Sequence, residues 1–393
     1  MLRGQGITVN IDDRRLPGLV LSGISLKATL RDDQNRTVEA LADHDTGILH
    51  APTAFGKTVT AIGLIAKWQV NTLILTHSRQ LLDQWKERLE TFMEGISVGV
   101  IGGGKKKPIG QIDVATYQSL INKKDNTVSS VVREYGQIII DECHHISAPR
   151  YEMLLNEVSA RYVVGLTATP DRQDGHQKIM LMVAGPVRHK VRAEHSSQFV
   201  QRVIVRERHE IPPTDIYQSC ERPHLASVYH WLAQNNARNQ DIVQDVASCV
   251  NNQANCLLLS ERREHAETLA ALLAAESITS VVLRGGMRVR ERQAAEAQLH
   301  KAKVIVATGK YIGEGFDLPR LDTLFLALPI AWKGTLSQYA GRIHRAVEGK
   351  QEVTVYDYLD TGLPMLERMY RKREKGYRAM GYQLASSGQT RLL

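Results

Sequence analysis

Short apolar runs alternate with longer amphipathic runs along most of this 393-residue chain. The short runs have the length of buried strands, and the longer ones carry apolar residues at helical spacing. One such helical face is formed by Leu81, Leu82, Trp85, Leu89 and Phe92. Strands that alternate with helices of this length predict an α/β fold, with parallel sheets that carry helices on both faces. The predicted strands are 47–50, 72–76, 97–101, 112–115, 137–141 and 162–166, and then 256–259, 280–283, 303–306, 323–326 and 353–357.

The alternating pattern occurs in two regions, so we expect two similarly built domains. A polar stretch and Pro212-Pro213 interrupt the pattern, which indicates a connection between the domains. A chain of this length also exceeds one ordinary core. We therefore predict an N-terminal segment over 1–27, a first domain over 28–195, a linker over 196–223, a second domain over 224–362 and a basic tail over 363–393.

The predicted tail carries seven Lys and Arg against two Glu. This charge fits either a docked helix with a solvated basic face or a contact with nucleic acid. The candidate buried stripe of the tail consists of Leu366, Met369, Tyr370 and Tyr377.

The net charge of +8 and the sequence pI near 9.2 favour an anionic partner. Nucleic acid is the first candidate, and a basic enzyme without such a partner is the alternative. No apolar run approaches the roughly 18 to 20 residues that span a bilayer, and the N-terminus lacks the apolar core of a secretory signal. The four cysteines include no C-x-x-C pair, which indicates neither a disulfide framework nor a zinc knuckle. We therefore expect a cytoplasmic protein without a membrane partner.

The segment from Ala51 to Thr58, Ala-Pro-Thr-Ala-Phe-Gly-Lys-Thr, lies between a predicted strand and a helix-like run from Val59. A tight loop that leads into a helix N-terminus binds phosphate through backbone N–H groups and the helix dipole. Lys57 would reach the β and γ phosphates, and the Thr58 hydroxyl would hold Mg²⁺. The pattern G-x-x-x-x-G-K-[ST] has Gly where this chain has Ala51. The other residues predicted to surround the nucleotide are Thr53, Ala54, Phe55 and Gly56.

A second candidate site follows the predicted strand 137–141, which ends in Asp141 and Glu142. Ligands bind at the carboxyl edge of open α/β sheets, where this strand delivers its carboxylates. Asp141 is placed to hold Mg²⁺ through its water shell, and Glu142 to orient or deprotonate the water that attacks the γ-phosphate. The next residues are Cys143, His144 and His145. Three adjacent residues cannot all face one tetrahedral centre, so we do not predict a zinc site there.

Three segments resemble a known family: Ala51 to Thr58, Asp141-Glu142-Cys143-His144, and Gln338-Tyr-Ala-Gly-Arg-Ile-His-Arg345. They are similar to motifs I, II and VI of superfamily 2 helicases of the DEAD/DEAH type, here with a DECH box. Within that superfamily, the chain resembles the branch of XPB-like repair helicases, phage-type helicases and restriction-enzyme motor subunits. Five further segments resemble other motifs of the family and follow one another in the expected order: 30–34, 75–82, 114–120, 165–170 and 307–319. The resemblance implies two tandem RecA-like domains.

The resemblance also implies roles for single residues. Arg31 and Gln34 would lie at the adenine, and Gly315 and Asp317 at the nucleotide. Thr167 and Thr169 would couple the γ-phosphate state to domain movement. The candidate nucleic-acid contacts are Arg79, Gln118, Lys105, Lys106 and Thr308. Arg342 and Arg345 are spaced i, i+3, so on a helix both would point to one side, and either would serve as an arginine finger.

The predicted function is nucleic-acid-stimulated ATP hydrolysis with ATP and Mg²⁺. The resemblance implies a DNA helicase or double-stranded DNA translocase in repair, recombination or defence, with DNA favoured over RNA. One alternative is the motor part of a restriction or defence enzyme whose nuclease or other module is an absent upstream region or a partner subunit. A second alternative is a DNA-binding scaffold with a silent ATP site, which the unusual pair Ala54-Phe55 suggests.

Overall fold

The computed structural model describes residues 12–52, 55–122, 124–144, 149–168, 177–191, 199–217, 223–312, 316, 318–330, 333–345, 347 and 349–386. The chain divides into two compact units, Met1–Arg192 and Ala193–Leu393. Each unit is built around its own largely parallel sheet.

In the first unit, the strands are β1 (Ser25–Leu26), β2 (Thr46–His50), β3 (Thr72–Thr76), β4 (Met93–Glu94), β5 (Val98–Gly102), β6 (Lys105–Lys107), β7 (Ile112–Thr116), β8 (Gln137–Ile140), β9 (Tyr162–Thr167) and β10 (Val187–Lys190). The helices are α1 (Asp32–Ala42), α2 (Lys57–Trp68), α3 (Arg79–Phe92), α4 (Pro149–Asn156) and α5 (Gln177–Ala184). The main sheet has the order β10-β2-β9-β8-β3-β7-β5-β6. Only β6 runs antiparallel to its neighbour in this sheet. A separate antiparallel pair joins β1 to β4.

Alternate residues of the central strands are buried on opposite faces of this sheet. Ile48 and Leu73 belong to one buried cluster, whereas Leu49 and Ile74, the residues that follow them, belong to another. Side chains alternate across a strand, so a strand that is apolar throughout needs cover on both faces. Helices supply this cover, because α2 and α3 contribute apolar residues to the second cluster and α4 and α5 to the first.

In the second unit, the strands are β11 (Val200–Arg208), β12 (Cys256–Ser260), β13 (Ser280–Leu283), β14 (Val304–Thr308), β15 (Thr323–Leu326), β16 (Glu352–Asp360) and β17 (Gln383–Ser386). The helices are α6 (Leu225–Gln234), α7 (Asn236–Asn251), α8 (Arg263–Ala275), α9 (Val289–Gln298), α10 (Gly309–Ile312), α11 (Lys333–Ala340) and α12 (Pro364–Ala379). The sheet has the order β13-β14-β12-β15-β16-β11-β17 and is parallel throughout. The predicted fold class, with two parallel α/β sheets, is confirmed.

The structure differs from the sequence-based division at the predicted linker. Part of 196–223 forms β11, which pairs with β16 over nine residues and with β17 on its other side. Val203 and Val205 are buried, the partly exposed Ile204 lies between them, and Arg202 and Arg206 flank this short apolar run. A run of only three apolar residues within a polar segment is typical of a connection, so the sequence alone suggested a linker. The strand is instead an inner member of the second sheet.

The predicted tail 363–393 also contributes to the second unit. Its helix α12 buries Leu366, Met369 and Tyr377 of the predicted stripe, and its strand β17 extends the sheet. The buried face of α12 also carries Arg373, whose guanidinium forms a two-point ion pair with Asp357 at 2.7 and 2.8 Å. Both side chains are 1% exposed. A solvated basic tail would expose all of its basic residues, whereas this helix buries Arg373 in an ion pair.

Within the described ranges, none of the helices combines the length and the apolar character that crossing a bilayer requires.

Candidate functional site

The parallel strands of the first unit bring three predicted motifs to one edge of the sheet. The order β2-β9-β8 places the end of β9, at Thr167, between the strand ends that lead to the 51–58 loop and to Asp141. The N–H of Ala51 donates to the carbonyl of Thr167 at 3.0 Å, and the N–H of Asp141 donates to the carbonyl of Leu75 at 3.0 Å. These backbone bonds fix where each motif leaves the sheet.

The 51–58 loop turns into α2 through a glycine. Gly56 is the N-cap residue and has φ +92°, a left-handed conformation that glycine adopts without steric cost. Lys57 is the first residue of α2, two residues before the start expected from the sequence, and its Nζ donates to the carbonyl of Ala51 at 3.3 Å. Thr58 follows in the first turn. A helix N-terminus with an adjacent ammonium group is a suitable site for phosphate. Thr53 and Ala54 lie outside the described residues.

The side chain of Phe55, a residue of this loop, packs into the core of the first unit. Phe55 is 6% exposed. Its carbonyl accepts hydrogen bonds from Arg31 Nη2 at 2.8 Å and from Gln34 Nε2 at 3.0 Å. The Arg31 guanidinium also lies 5.6 Å from the centre of the Phe55 ring. The structure therefore brings Arg31 and Gln34 to the backbone of the loop.

Asp141 is 6% exposed and directly follows β8. Its Oδ2 accepts a hydrogen bond from Trp85 Nε1 at 2.7 Å, and its Oδ1 accepts one from the N–H of Glu142 at 3.0 Å. Burial and the neighbouring Glu142 carboxylate raise the pKa of Asp141, whereas the Trp85 N–H and the Lys57 ammonium oppose this rise. A bound cation would offset the same repulsion between the two carboxylates.

Glu142 has φ +46°, which is rare for a residue with a side chain and costs free energy. Its Oε2 lies 3.3 Å from His144 Nδ1, and the same ring nitrogen lies 3.2 Å from the Thr167 hydroxyl. The His144 imidazole therefore lies close to both Glu142, the candidate base, and Thr167, a candidate coupling residue. Thr169 lies outside the described residues.

Cys143 and His144 face different surroundings. The thiol of Cys143 is buried, with its sulfur 3.6 Å from Met180 Sδ. His145 is outside the described residues, and the described portion of the chain contains no group of three side chains suited to hold a metal ion.

The candidate nucleic-acid residues of the first unit lie at the carboxyl edges of β3, β5 and β7. Arg79 Nη1 donates to the carbonyl of Gly103 at 3.1 Å, and Gln118 Nε2 donates to the carbonyl of His77 at 2.9 Å. Lys105 and Lys106 are exposed on β6. Together with Gln118 they line a groove of about 620 Å³. The structure thus brings these four predicted residues to one surface.

In the second unit, Arg342 and Arg345 do not lie on a helix, in contrast to the expectation from their spacing. The helix α11 ends at Ala340, and Arg342 lies in the turn that follows. The backbone N–H of Arg342 donates to the carbonyl of Tyr339 at 3.0 Å. Arg345 follows in irregular structure. Helical spacing therefore does not align the two side chains, because the helix has already ended. Arg342 Nη1 instead donates to the carbonyl of Phe316 at 2.7 Å.

Phe316 belongs to the predicted motif 307–319, so Arg342 contacts a second motif of the same unit. Gly315 and Asp317 lie outside the described residues. Thr308 ends β14, is 6% exposed, and its hydroxyl accepts a hydrogen bond from the N–H of Gly285 at 3.4 Å.

Two contacts at these motifs were not predicted from the sequence. Trp85 was assigned only to the apolar face of its helix, yet it donates to Asp141. The Tyr339 hydroxyl donates to Glu261 Oε1 at 3.1 Å. A Cβ atom at Gly309 would lie 2.0 Å from this hydroxyl and 2.4 Å from this carboxylate oxygen, so the hydrogen-bonded pair leaves no room for a side chain there. The sequence does indicate that Trp85 needs a hydrogen-bond acceptor, because a buried indole N–H usually finds one.

Two family models match this chain. The family "Type III restriction enzyme, res subunit" matches residues 27–172, and the family "Helicase conserved C-terminal domain" matches residues 238–347. A probable helicase of Escherichia phage T5 is 27% identical over 372 residues, which cover 92% of this chain and 78% of the relative. The DNA 3'-5' translocase XPB2 of Sulfurisphaera tokodaii is 31% identical over 179 residues, which cover 46% of this chain and 39% of that protein.

Among solved structures, S. cerevisiae Dbp5 bound to RNA and ADP BeF3 matches with a TM-score of 0.62 and 13% identity, over 91% of this chain and 90% of that chain. This similarity concerns the fold, and it identifies the two units as tandem RecA-like domains. The fold and the ordered motifs thus define an ATP-binding protein of the helicase class. The two family models, which match separate parts of the chain, and the helicase relatives together support a superfamily 2 helicase in the branch of XPB-like proteins and restriction-enzyme motor subunits.

Proposed function

We propose that this chain hydrolyses ATP when it binds DNA, and that it acts as a DNA helicase or double-stranded DNA translocase. The observation that carries the proposal is the position of Asp141 and Glu142 beside the 51–58 loop. The electrostatic effect of Lys57 on the pKa of Asp141 supports a shared site. The similarity to the DNA 3'-5' translocase XPB2 of Sulfurisphaera tokodaii favours DNA, whereas the fold match includes a protein bound to RNA.

In this proposal, Lys57 and the backbone N–H groups at the start of α2 bind the phosphates of ATP. The Thr58 hydroxyl and the Asp141 carboxylate would hold Mg²⁺, since oxygen ligands are those that this cation prefers. The fit is supported by the burial of Asp141 next to a second carboxylate. Mg²⁺, when bound, supplies positive charge at the phosphate oxygens.

Glu142 orients the attacking water and accepts its proton, and His144 holds the Glu142 side chain. Thr167 contacts the same imidazole and therefore responds to its position. We assign to Arg342 and Arg345 the neutralisation of charge on the γ-phosphate, and to Thr53, Ala54, Thr169, Gly315 and Asp317 the roles that the family resemblance implies.

The assignment of Glu142 is tested with Glu142→Gln, which keeps the shape of the side chain and removes its charge. We expect DNA-stimulated phosphate release to fall by about 10²- to 10⁴-fold, the range for loss of a general base. Glu90→Gln is the matched control, because Glu90 is an exposed partner of Lys86 on α3. Stimulated turnover of Glu142→Gln near the wild-type value would show that the proposed chemistry is wrong.

The match to a restriction-enzyme subunit supports a second candidate, the motor part of a restriction or defence enzyme. Such a motor moves along duplex DNA without needing to separate the strands. Displacement of a third strand from a DNA triplex measures translocation, and release of one strand from a tailed duplex measures unwinding. Triplex displacement without duplex unwinding would favour the motor, and unwinding would favour the helicase. ATP hydrolysis that no nucleic acid stimulates would contradict both.

A further inference from the structure

We propose that Trp85 is a positioning residue for the candidate metal ligand Asp141. The inference rests on the proposed function, because it concerns the carboxylate to which we assign Mg²⁺. Trp85 lies in α3, is 1% exposed, and places its indole N–H 2.7 Å from Asp141 Oδ2.

The two oxygens of Asp141 have different donors. Oδ2 accepts from the indole of Trp85, and Oδ1 accepts from the backbone N–H of Glu142. Two hydrogen bonds on opposite oxygens fix the rotation of the carboxylate about its last torsion, which is otherwise broad. Because each carboxylate oxygen has two lone-pair sites, both retain one for a cation or its water shell.

The chemistry of the indole suits this task. An indole nitrogen donates and never accepts, so Trp85 can meet Asp141 Oδ2 only as a hydrogen-bond donor. Burial of Trp85 in the core also restricts the donor itself, since α3 packs its face of Leu81, Leu82, Trp85 and Leu89 inward. Outer partners of this kind orient metal ligands and change metal affinity by about 10- to 100-fold.

A purely structural explanation is that the core needs a large ring at this position and that Asp141 merely satisfies its N–H. The two explanations differ in a measurable way. A packing role predicts that the loss of Trp85 weakens nucleotide binding with and without metal. A positioning role predicts that only the metal-dependent part is lost.

The test uses Trp85→Phe, which keeps an aromatic ring and removes the donor. The dissociation constant of a fluorescent, non-hydrolysable ATP analogue is measured with Mg²⁺ and with EDTA, and the ratio of the two values is the Mg²⁺ gain. We expect the variant to lose about 10-fold or more of this gain, while its affinity in EDTA stays within about twofold of wild type. Trp68→Phe is the matched control, because Trp68 stacks on Tyr162 at 4.4 Å in the same unit, and its Mg²⁺ gain should not change.

An unchanged Mg²⁺ gain in Trp85→Phe would overturn the proposal, and so would a parallel loss of affinity with and without metal. A wild-type protein without any Mg²⁺ gain would overturn the proposed metal site as well, which distinguishes the two failures.

A second measurement leaves Trp85 in place and guards against misfolding of the variant. The chain has four tryptophans, so replacing Trp68, Trp231 and Trp332 by Phe makes Trp85 the sole tryptophan, whose emission is excited selectively over that of tyrosine. Mg²⁺ added to the nucleotide-bound protein should change its emission, and constant emission would contradict the inference.

Discussion

The buried ion pair between Arg373 and Asp357 gives a sharp prediction about the second domain. Arg373→Met keeps the length of the side chain and removes its charge, leaving Asp357 buried with Tyr377 as its remaining side-chain donor at 2.8 Å. The carbonyl of Ile330, which accepts from Arg373 Nη1 at 2.9 Å, also loses its donor. Removal of one partner from a buried pair costs about 3–5 kcal/mol. For a domain of this size, that corresponds to a fall in the thermal midpoint of roughly 6–20 °C.

Calorimetry of the full chain measures this shift. Arg371→Met is the matched control, since Arg371 lies on the same helix and is 72% exposed, at 3.7 Å from Glu367. An exposed pair of this kind contributes about 0–1 kcal/mol, so its midpoint should hardly move. The double variant Arg373→Met with Asp357→Asn should recover part of the loss, because no charge remains buried. A loss below about 1 kcal/mol for Arg373→Met would refute the reasoning that this buried ion pair stabilises the second domain.

Three further predictions concern the loop, the basic edge and acid stability. Gln34→Ala removes one hydrogen bond to the 51–58 loop, so we expect steady-state kinetics to show a KM for ATP about 3- to 10-fold higher with little change in kcat. Replacing Lys105 and Lys106 by Ala should lower the slope of log Kd against log salt concentration for DNA by up to about 2, whereas Lys67→Ala, which removes a partner of Glu39, should not. Burial lowers the pKa of His265 from 6.5 to about 3. The unfolded chain therefore binds this proton first, and stability is lost as the pH falls below 6.5, by about 2 kcal/mol at pH 5; urea titrations of His265→Gln should lack this component.

Much of the fold was predictable because central strands of parallel sheets are apolar throughout. Strands β8 and β12 are buried along their whole length, so their runs stand out in the sequence. The strands at the far side of the second sheet carry a weaker signal. Strand β11 has two buried valines within a short apolar run that polar residues flank, and β17 reads Gln-Leu-Ala-Ser. Neither reveals its pairing partner, because β11 pairs with β16 about 150 positions further along the chain, and β17 pairs with β11 about 180 positions before it.

The candidate site was predictable where chemistry and position coincide in the sequence. Asp141 and Glu142 end an apolar run, and Lys57 begins a helix after a tight loop. The arrangement of Arg342 was not predictable from spacing, because the helix ends two residues earlier at Ala340. The partner of Trp85 was equally invisible, since an amphipathic pattern identifies the buried face of a helix and not the polar atom that this face meets.

Asp33, which precedes the predicted adenine contact Gln34, is linked through Arg31 to Phe55 of the 51–58 loop. The Asp33 carboxylate accepts from Arg31 Nε and Nη2 at 3.2 Å, and the same Nη2 donates to the carbonyl of Phe55. The side-chain amide of Gln34 donates to the same carbonyl. This amide also fills the space beside Gly56 that a side chain at position 56 would need. A loop with Phe in place of a small residue has less conformational freedom of its own. Its backbone is therefore held from outside, by a carboxylate, a guanidinium and an amide that all precede it in the chain.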